Sequence, residues 1–398
     1  MVKIAPIKPF LPKDPKKFAT NPYDVIGEEE EKELKKNKDS LIHLILPDGE
    51  GEEQYQNAKK AFENFVEDNA VYQADKPSIY VYRQESEDFS QQGFILGVSL
   101  QDYEDDEIVK HEHTREKPLK DRIKHITTTN VAAGLVWNVF KANEKIKAIM
   151  EDIKKEGPLF DFEKYGYRHL LWEESNQETI NKLEEAFQGN KIFIADGHHR
   201  AASANEYRKM KLKEKDQNEN DNAPWKYLLT YVASDDQVRI LSYNRVVRKL
   251  PMEKVDFLEE LKEVYQIEKQ DQPFNPEKKH EVALCCKETW YKLNVKNADF
   301  DSKRDSLDVA ILQDEVLEPI LGIENPRASD NLFFVGGTKD PADMEKYVTE
   351  KGNDLFINLY PVDIRDLEEI AEKGGVMPPK STWFDPKVLS GLVLYKLD

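Results

Sequence analysis

The decisive stretch of this chain is KIFIADGHHRAA, residues 191–202. Its apolar start, residues 191–195, predicts a short strand, and the Ala- and Lys-rich sequence after Arg200 predicts a helix that continues to about residue 215. Gly197 stands at the junction, where a residue without a side chain lets the backbone turn tightly and approach a ligand. The segment therefore predicts a strand–turn–helix unit with polar residues at its turn.

The residues of this turn suit a phosphate ligand. The first N–H groups of a helix have no partners within it and the positive end of its dipole lies there, so helix starts bind anions. His198, His199 and Arg200 add hydrogen-bond donors and positive charge. Asp196 can cap the helix, bind a metal ion or accept a proton. A helix cap followed by surface residues is the alternative, but so many functional groups directly after an apolar strand favour an active site.

Length and composition limit the class of protein. The chain has 398 residues, enough for two domains, and 39% hydrophobic with 10% aromatic residues indicates a folded protein. Its formal net charge of −19 repels phosphodiester backbones, so we expect no nucleic-acid partner and rank a DNA-binding function lowest. Small phosphates can still bind where positive charges gather in one cleft.

Cysteine usage and hydropathy indicate the compartment. The two cysteines, Cys285 and Cys286, are adjacent in the apolar run 281–286, which predicts a strand. Neighbours in a strand point to opposite faces, so the pair is a poor disulfide candidate and a packing role is favoured. The start of the chain lacks the apolar core of a signal peptide, and no stretch approaches the roughly 20 apolar residues of a membrane span. We expect a cytoplasmic protein with no membrane partner.

The order of the predicted elements favours an α+β fold over a regular βαβ series. Residues 78–83 and 93–98 predict a β-hairpin, and one or two helices, closed by Gly157-Pro158, are expected over 127–156. The polar run Asp216–Asn222 predicts a surface loop. We predict three regions, listed here by their bounds: an N-terminal α+β region (1–105), a catalytic core with the turn (106–235) and a C-terminal α+β region with the segment MPPKST (236–398).

A second cluster of chemical groups is HEHTREKPLKDR, residues 111–122. If the segment is extended, the alternation of His111 and His113 around Glu112 directs both imidazoles one way, as in a metal-binding pair. Glu112 beside so many cations is a candidate general base. The candidate phosphate ligands of this segment, together with the two histidines, are Thr114, Arg115, Lys117 and Arg122. An exposed charged loop without a partner is the alternative.

Two further segments are weaker signals. The ending MPPKSTWFDPK, residues 377–387, offers Lys380, Ser381 and Thr382 as donors to phosphate or substrate, although a proline-bent connection explains it equally well. NPYDVI, residues 21–26, predicts a turn. The sequence lacks a Walker-type loop, a Gly-x-Gly-x-x-Gly motif, a nucleophile elbow and a cysteine-based zinc pattern, so a nucleotide would bind without these common cradles.

The four motifs, in this order and spacing, resemble the domain-of-unknown-function family ten-fifteen, and the resemblance covers nearly the whole chain. ADGHHRAA and MPPKSTWFDPK are its most specific parts. The Asp-Gly-His-His-Arg turn also resembles that of ParB/sulfiredoxin-like domains, especially the free serine kinases. The resemblance implies a ParB/sulfiredoxin-like mixed α/β core with larger accessory α+β regions.

The resemblance is closest to pyrophosphate-dependent serine kinases. It implies phosphoryl transfer from inorganic pyrophosphate, or a nucleotide, to the hydroxyl of free L-serine, giving O-phospho-L-serine for serine and cysteine metabolism with Mg²⁺ as cofactor. Glu112 is the candidate base. The residues that match the catalytic and phosphate-binding turn are Asp196, which would also hold the metal, Gly197, His198, His199 and Arg200. The alternative function is a metal-dependent hydrolase or phosphoesterase that uses the histidine and aspartate cluster.

Overall fold

The computed structural model describes residues 2–214 and 223–398, so the predicted loop Asp216–Asn222 lies outside the described residues. The chain forms two compact units, Met1–Val238 together with Pro386–Asp398, and Arg239–Asp385. Among the described helices, none is long and apolar enough to cross a membrane. The predicted division into regions 1–105, 106–235 and 236–398 stays a prediction.

The first unit is built on strands that join distant parts of the chain. They are β1 (Ile4–Ala5), β2 (Phe10–Pro12), β3 (Val71–Gln73), β4 (Ile79–Glu85), β5 (Ser90–Ser99), β6 (Ile108–Val109), β7 (Val131–Ala132), β8 (Val136–Phe140), β9 (Phe160–Lys164), β10 (Tyr167–Glu174), β11 (Ile192–Asp196), β12 (Tyr227–Ser234) and, near the C-terminus, β21 (Tyr395–Lys396). Two small pairs, β2 with β3 and β7 with β21, stand apart from the main sheet.

The main sheet has nine strands, in the order β6-β11-β8-β12-β5-β4-β10-β9, with β1 paired to β5. It is mixed: β6 runs parallel to β11 and β8 runs parallel to β12, whereas the other pairs are antiparallel. The hairpin predicted from residues 78–83 and 93–98 is confirmed, because β4 and β5 pair in antiparallel register with Tyr80 opposite Ile95. The α+β class is confirmed.

Helices surround this sheet. They are α1 (Pro15–Phe18), α2 (Glu28–Leu34), α3 (Ile42–Ile45), α4 (Glu52–Glu67), α5 (Leu100–Glu104), α6 (Glu116–Thr129), α7 (Glu144–Ile153), α8 (Gln177–Phe187) and α9 (His198–Glu214), with 3₁₀ turns at Pro224–Lys226 and Asp235–Gln237. Helix α8 shows how sequence makes such an element: Asn176 caps its first N–H groups, and Ile180, Leu183 and Phe187 form one buried face. Replacing a buried Phe such as Phe187 by Ala costs about 3–5 kcal/mol.

The expectation of one or two helices over 127–156 is right for α7 and wrong for residues 131–140. Helix α6 ends at Thr129, where Asn130 takes a left-handed conformation, and strands β7 and β8 follow before α7 begins at Glu144. All five residues of β8 are buried. A short strand that is buried on both faces has no alternation, so periodicity alone does not separate it from a helix.

The second unit has its own sheet and helices. Its strands are β13 (Arg239–Leu241), β14 (Tyr243–Val247), β15 (Tyr265–Gln270), β16 (Glu281–Cys286), β17 (Thr289–Val295), β18 (Leu332–Gly336), β19 (Leu355–Leu359) and β20 (Trp383–Asp385). Six of them form a sheet in the order β15-β17-β16-β19-β14-β18, and β13 pairs with β20. Its helices are α10 (Lys254–Val264), α11 (Asp308–Leu312), α12 (Pro341–Lys351) and α13 (Ile364–Glu372), with a π-helical turn at Gln313–Leu317.

The adjacent cysteines lie in β16, where the strand was predicted. Both thiols are buried and free. Cys285 packs in one apolar cluster and Cys286 in another, as expected for neighbours that face opposite sides of a strand. Their packing role is confirmed.

Candidate active site

The turn follows directly after a buried strand of the main sheet. Strand β11 lies between β6 and β8, and its register against β8 shifts between Ile194 and Asp196. Gly197 then takes φ of 101°, a conformation that side chains rarely adopt. The Ala201 N–H donates to the Gly197 carbonyl at 2.9 Å, which closes the first turn of α9. The predicted strand–turn–helix unit is confirmed, with Asp196 at its junction.

Two cations hold the Asp196 carboxylate. Arg200 donates from Nη2 to Asp196 Oδ2 at 2.8 Å and from Nη1 to the Leu135 carbonyl. Lys387 places Nζ 3.8 Å from Asp196 Oδ1, and both cationic side chains are only 13% exposed. Burial lowers the pKa of Arg200, but the charges of Asp196 and Asp24 outweigh it and raise that pKa overall. Arg200 therefore stays charged, and the turn carries a fixed positive group next to the helix start.

The two histidines of the turn bind the segment that precedes α6. His198 is 6% exposed, and its Nε2 accepts the His111 N–H at 3.4 Å. His199 Nε2 accepts the N–H of Arg115, the residue before α6, at 3.0 Å. These acceptor roles assign the proton of each neutral ring to Nδ1. In His198, Nδ1 lies 4.0 Å from Glu112 Oε2, so the predicted base stands beside the turn.

His111 forms the inner wall of this arrangement. Its ring meets the ring of His198 edge to face, with centroids 4.5 Å apart. Burial lowers the pKa of His111 to about 4, against the opposing effects of the Asp196 charge and a hydrogen bond to the Ile194 backbone. At neutral pH His111 is therefore an uncharged imidazole, and its role at the turn is to pack and to hydrogen-bond rather than to supply charge.

The extended pairing of His111 with His113 is wrong. Residues 111–115 are not a strand; the first imidazole is buried and the second is exposed. Within residues 2–214 and 223–398, no group of three or more His, Cys, Asp or Glu side chains is arranged to hold a metal ion. The role of Asp196 as a metal ligand stays a prediction.

The cationic run after these histidines is a helix rather than a loop. Arg115 and Lys117 are exposed and Thr114 is half-buried, so their phosphate role stays a prediction. Arg122 differs, because only 15% of its side chain is exposed and its guanidinium lies 4.4 Å from the centre of the Tyr23 ring. One cation of the run is thus directed into the protein while the others face solvent.

Two residues of the site were not predicted individually. Tyr23 belongs to NPYDVI, and the pKa of its phenol is raised by burial and by Asp24 while Arg200 and Arg122 oppose the rise, so all four groups lie close together. Lys387 is the final residue of MPPKSTWFDPK and reaches Asp196. Both residues lie within motifs that the sequence analysis identified, and membership of these motifs is the sequence signal that could have pointed to them. The fold alone brings them to the turn.

The other predicted donors of the MPPKST segment belong to the second unit. Lys380 is exposed, with its ammonium 5.3 Å from the centre of the Tyr243 ring. Ser381 is buried and donates to the Pro378 carbonyl at 2.5 Å, and Thr382 is half-buried. These contacts describe a proline-rich turn stabilised by Ser381. The phosphate or substrate role of Lys380, Ser381 and Thr382 stays a prediction.

Comparison with known proteins identifies the family of the chain. The family model described as Protein of unknown function (DUF1015) matches residues 4–310, which confirms the family expected from the four motifs. No curated protein matches the sequence. Among solved structures, a mutant of free serine kinase in complex with ADP is 14% identical, with 73% of this chain and 87% of that chain covered and a TM-score of 0.37.

Two further structures are similar at the same level. A conserved hypothetical protein from Pyrococcus furiosus is 14% identical, with 73% of this chain and 90% of that chain covered and a TM-score of 0.35. SbnI from Staphylococcus aureus, with a C-terminal truncation, is 13% identical, with 74% of this chain and 85% of that chain covered and a TM-score of 0.37.

Proposed function

The chain belongs to the DUF1015 family, and we propose that it is a phosphotransferase. It moves a phosphoryl group from inorganic pyrophosphate, or from a nucleotide, to the hydroxyl of free L-serine, and the O-phospho-L-serine formed enters serine and cysteine metabolism. The observation that carries this proposal is the turn at which Arg200 and Lys387 flank the Asp196 carboxylate at the start of α9. The resemblance of this turn to that of free serine kinases supports serine as the acceptor.

The turn provides what a phosphoryl donor requires. Phosphoryl transfer depends on positioning and charge neutralisation more than on covalent catalysis. A helix start, a buried guanidinium and a partly buried ammonium together bind the oxygens of a small phosphate. An arginine that stabilises the transferring group contributes roughly 10³–10⁵ in rate. Pyrophosphate is compact and needs no adenine pocket, which agrees with the lack of a nucleotide-binding loop in the sequence.

In this proposal Glu112 accepts the proton of the acceptor. Its Oε2 lies 4.0 Å from His198 Nδ1, so the imidazole stands beside the carboxylate. In the transfer, the serine hydroxyl gives its proton to Glu112, the new O–P bond forms, and the donor P–O bond breaks as phosphate or nucleotide leaves. His198 acts as a positioning residue here, because its Nε2 already accepts the His111 N–H.

Asp196 is the carboxylate that would hold Mg²⁺. Mg²⁺ prefers oxygen ligands and is usually held by one or two carboxylates together with substrate phosphates. Asp196 Oδ2 accepts from Arg200, and Lys387 Nζ lies 3.8 Å from Oδ1, so the ion would share this carboxylate with two cations. When bound there, Mg²⁺ would neutralise charge on the donor phosphates. The residues of the chain would retain the tasks of orienting the donor and accepting the proton.

The test is a transfer assay with the full chain. Pure protein is incubated with L-serine, Mg²⁺ and one of pyrophosphate, ADP or ATP, and O-phosphoserine is measured by mass spectrometry. We expect transfer from at least one donor and a loss of more than about 100-fold in Asp196→Asn. Asp152→Asn is the matched control, because that carboxylate is 69% exposed and pairs only with Lys155 among the contacts the structure describes. Absence of transfer by the unmodified protein from every donor would refute the proposal.

A further inference from the structure

A cavity of about 70 Å³ lies in the first unit beside the turn. Two helices face each other across it, and each contributes residues three and four apart, the spacing of one helix face. Helix α6 contributes Arg122, His125 and Ile126, and α9 contributes Arg200, Ser203, Ala204 and Tyr207. The cavity is therefore built from the helix that follows the HEHT segment and the helix that follows the DGHHR turn.

The walls of this cavity, which we call the α6–α9 cavity, are mostly apolar. Leu100, Val136, Trp225 and Leu228 contribute to them. Several polar groups of the lining already have protein partners: the Ser203 hydroxyl donates to the Arg200 carbonyl at 2.9 Å, the Tyr207 hydroxyl donates to Asn130 at 2.7 Å, and His125 Nε2 lies 2.7 Å from the Leu44 carbonyl. The two guanidinium groups remain as the groups that can recognise an anion.

Arg122 presents one side of its guanidinium to the α6–α9 cavity. Its Nε and Nη2 donate to Asp121 Oδ2 at 2.9 and 2.5 Å, and its flat face covers Tyr23. Nη1 makes no hydrogen bond to any residue that the structure describes. Arg200 also lines the cavity while it donates to Asp196, so one guanidinium group separates the cavity from the carboxylate of the turn.

We propose that the α6–α9 cavity binds the acceptor amino acid and that Arg122 holds its carboxylate, with the hydroxyl directed towards Arg200, the lining residue that joins the cavity to the turn. This inference rests on the proposed phosphotransferase function. The size agrees with it, because a volume of about 70 Å³ holds roughly five to seven water-sized groups, and L-serine has seven non-hydrogen atoms. The cavity therefore selects a small acceptor by volume and an amino acid by its carboxylate.

Calorimetry without any phosphoryl donor tests this assignment. L-serine is compared with 2-aminoethanol, which has the same hydroxyl and amine but no carboxylate. We expect the unmodified protein to bind L-serine roughly 10- to 100-fold more tightly, the range of one charge-assisted contact. Arg122→Met should lose this difference by weakening L-serine alone. Lys124→Met is the matched control: it removes the same charge from the same helix, but Lys124 is 47% exposed and pairs with Glu52.

A second variant tests the volume. Ala204→Leu adds side chain inside the α6–α9 cavity and should weaken both ligands, whereas Arg122→Met should leave 2-aminoethanol unchanged. The inference is overturned if the unmodified protein does not bind L-serine, or if Arg122→Met binds it with unchanged affinity. Because the calorimetry contains no phosphoryl donor, it tests serine binding independently of phosphoryl transfer, and each proposal can be refuted without the other. Normal L-serine binding without phosphoryl transfer refutes only the phosphotransferase, and transfer with an unaltered serine affinity in Arg122→Met refutes only the cavity assignment.

Discussion

Replacing Gly197 by Ala tests whether the geometry of the turn limits the reaction. With φ of 101°, the position strains any side chain, at a cost of about 1–3 kcal/mol in the free energy of unfolding. The added Cβ would also lie 3.0 Å from Arg200 Nε and 3.1 Å from Cζ, closer than normal contact. The guanidinium must then shift by a few tenths of an ångström. Because misplacement of about 1 Å costs roughly 100-fold, we expect this smaller shift to lower transfer by about 3- to 10-fold.

The control for this variant is Gly189→Ala. Gly189 has φ of 85°, so the backbone strain is similar, but no atom lies within 4 Å of the added Cβ. Urea unfolding measures the stability of both variants, and the serine transfer assay measures their activity under conditions where each is folded. We expect similar losses of stability and a loss of activity in Gly197→Ala alone. If the two variants keep equal transfer rates, the contact between Gly197 and Arg200 does not control the site.

Three further substitutions have distinct expected results. Glu112→Gln should lower transfer by about 10²–10⁴, and an unchanged rate would exclude Glu112 as the base. Lys387→Met should raise the KM for the donor about tenfold through loss of the charge near Asp196, without changing the KM for serine. Burial raises the pKa of Asp308 to about 7, although a hydrogen bond from the His280 N–H opposes the rise. The protonated carboxyl therefore makes its full contribution to the free energy of unfolding below about pH 4, and this contribution is lost as the pH rises through 7. Asp308→Asn should therefore be up to about 4 kcal/mol more stable at pH 8 and similar at pH 4, and urea unfolding that shows no such divergence would contradict this.

Sequence patterns predicted the helices and strands that are determined mainly by their own local sequence. The hairpin of β4 and β5 follows from two strand-like runs, and α9 follows from the Ala- and Lys-rich sequence after Arg200. Strand β8 has no such signal, because it is a central strand, between β11 and β12, and all five of its residues are buried, so polar and apolar positions do not alternate. Its hydrophobic run was therefore compatible with either a helix or a strand.

The site depends on contacts between distant residues. His199 accepts the N–H of Arg115, 84 residues earlier in the chain, and this contact joins the turn to the start of α6. The burial of Arg122 depends on Tyr23, which belongs to a different motif. Sequence could identify the four motifs as chemically unusual, yet which member of each motif faces inward is decided by the tertiary fold. For that reason Arg122 and Lys117, equivalent in the sequence pattern, differ in the structure.

The distribution of charge explains how so acidic a chain can act on phosphates. The net charge of −19 belongs to the whole molecule, whereas Arg122, Arg200 and Lys387 are 15%, 13% and 13% exposed. Screening by solvent weakens surface charges far more than partly buried ones, so these cations would act strongly on a ligand at the turn. A long polyanion would meet the acidic surface along its length and be repelled. Under the proposed function, a small phosphate would meet the partly buried cations at the turn without lying along the acidic surface.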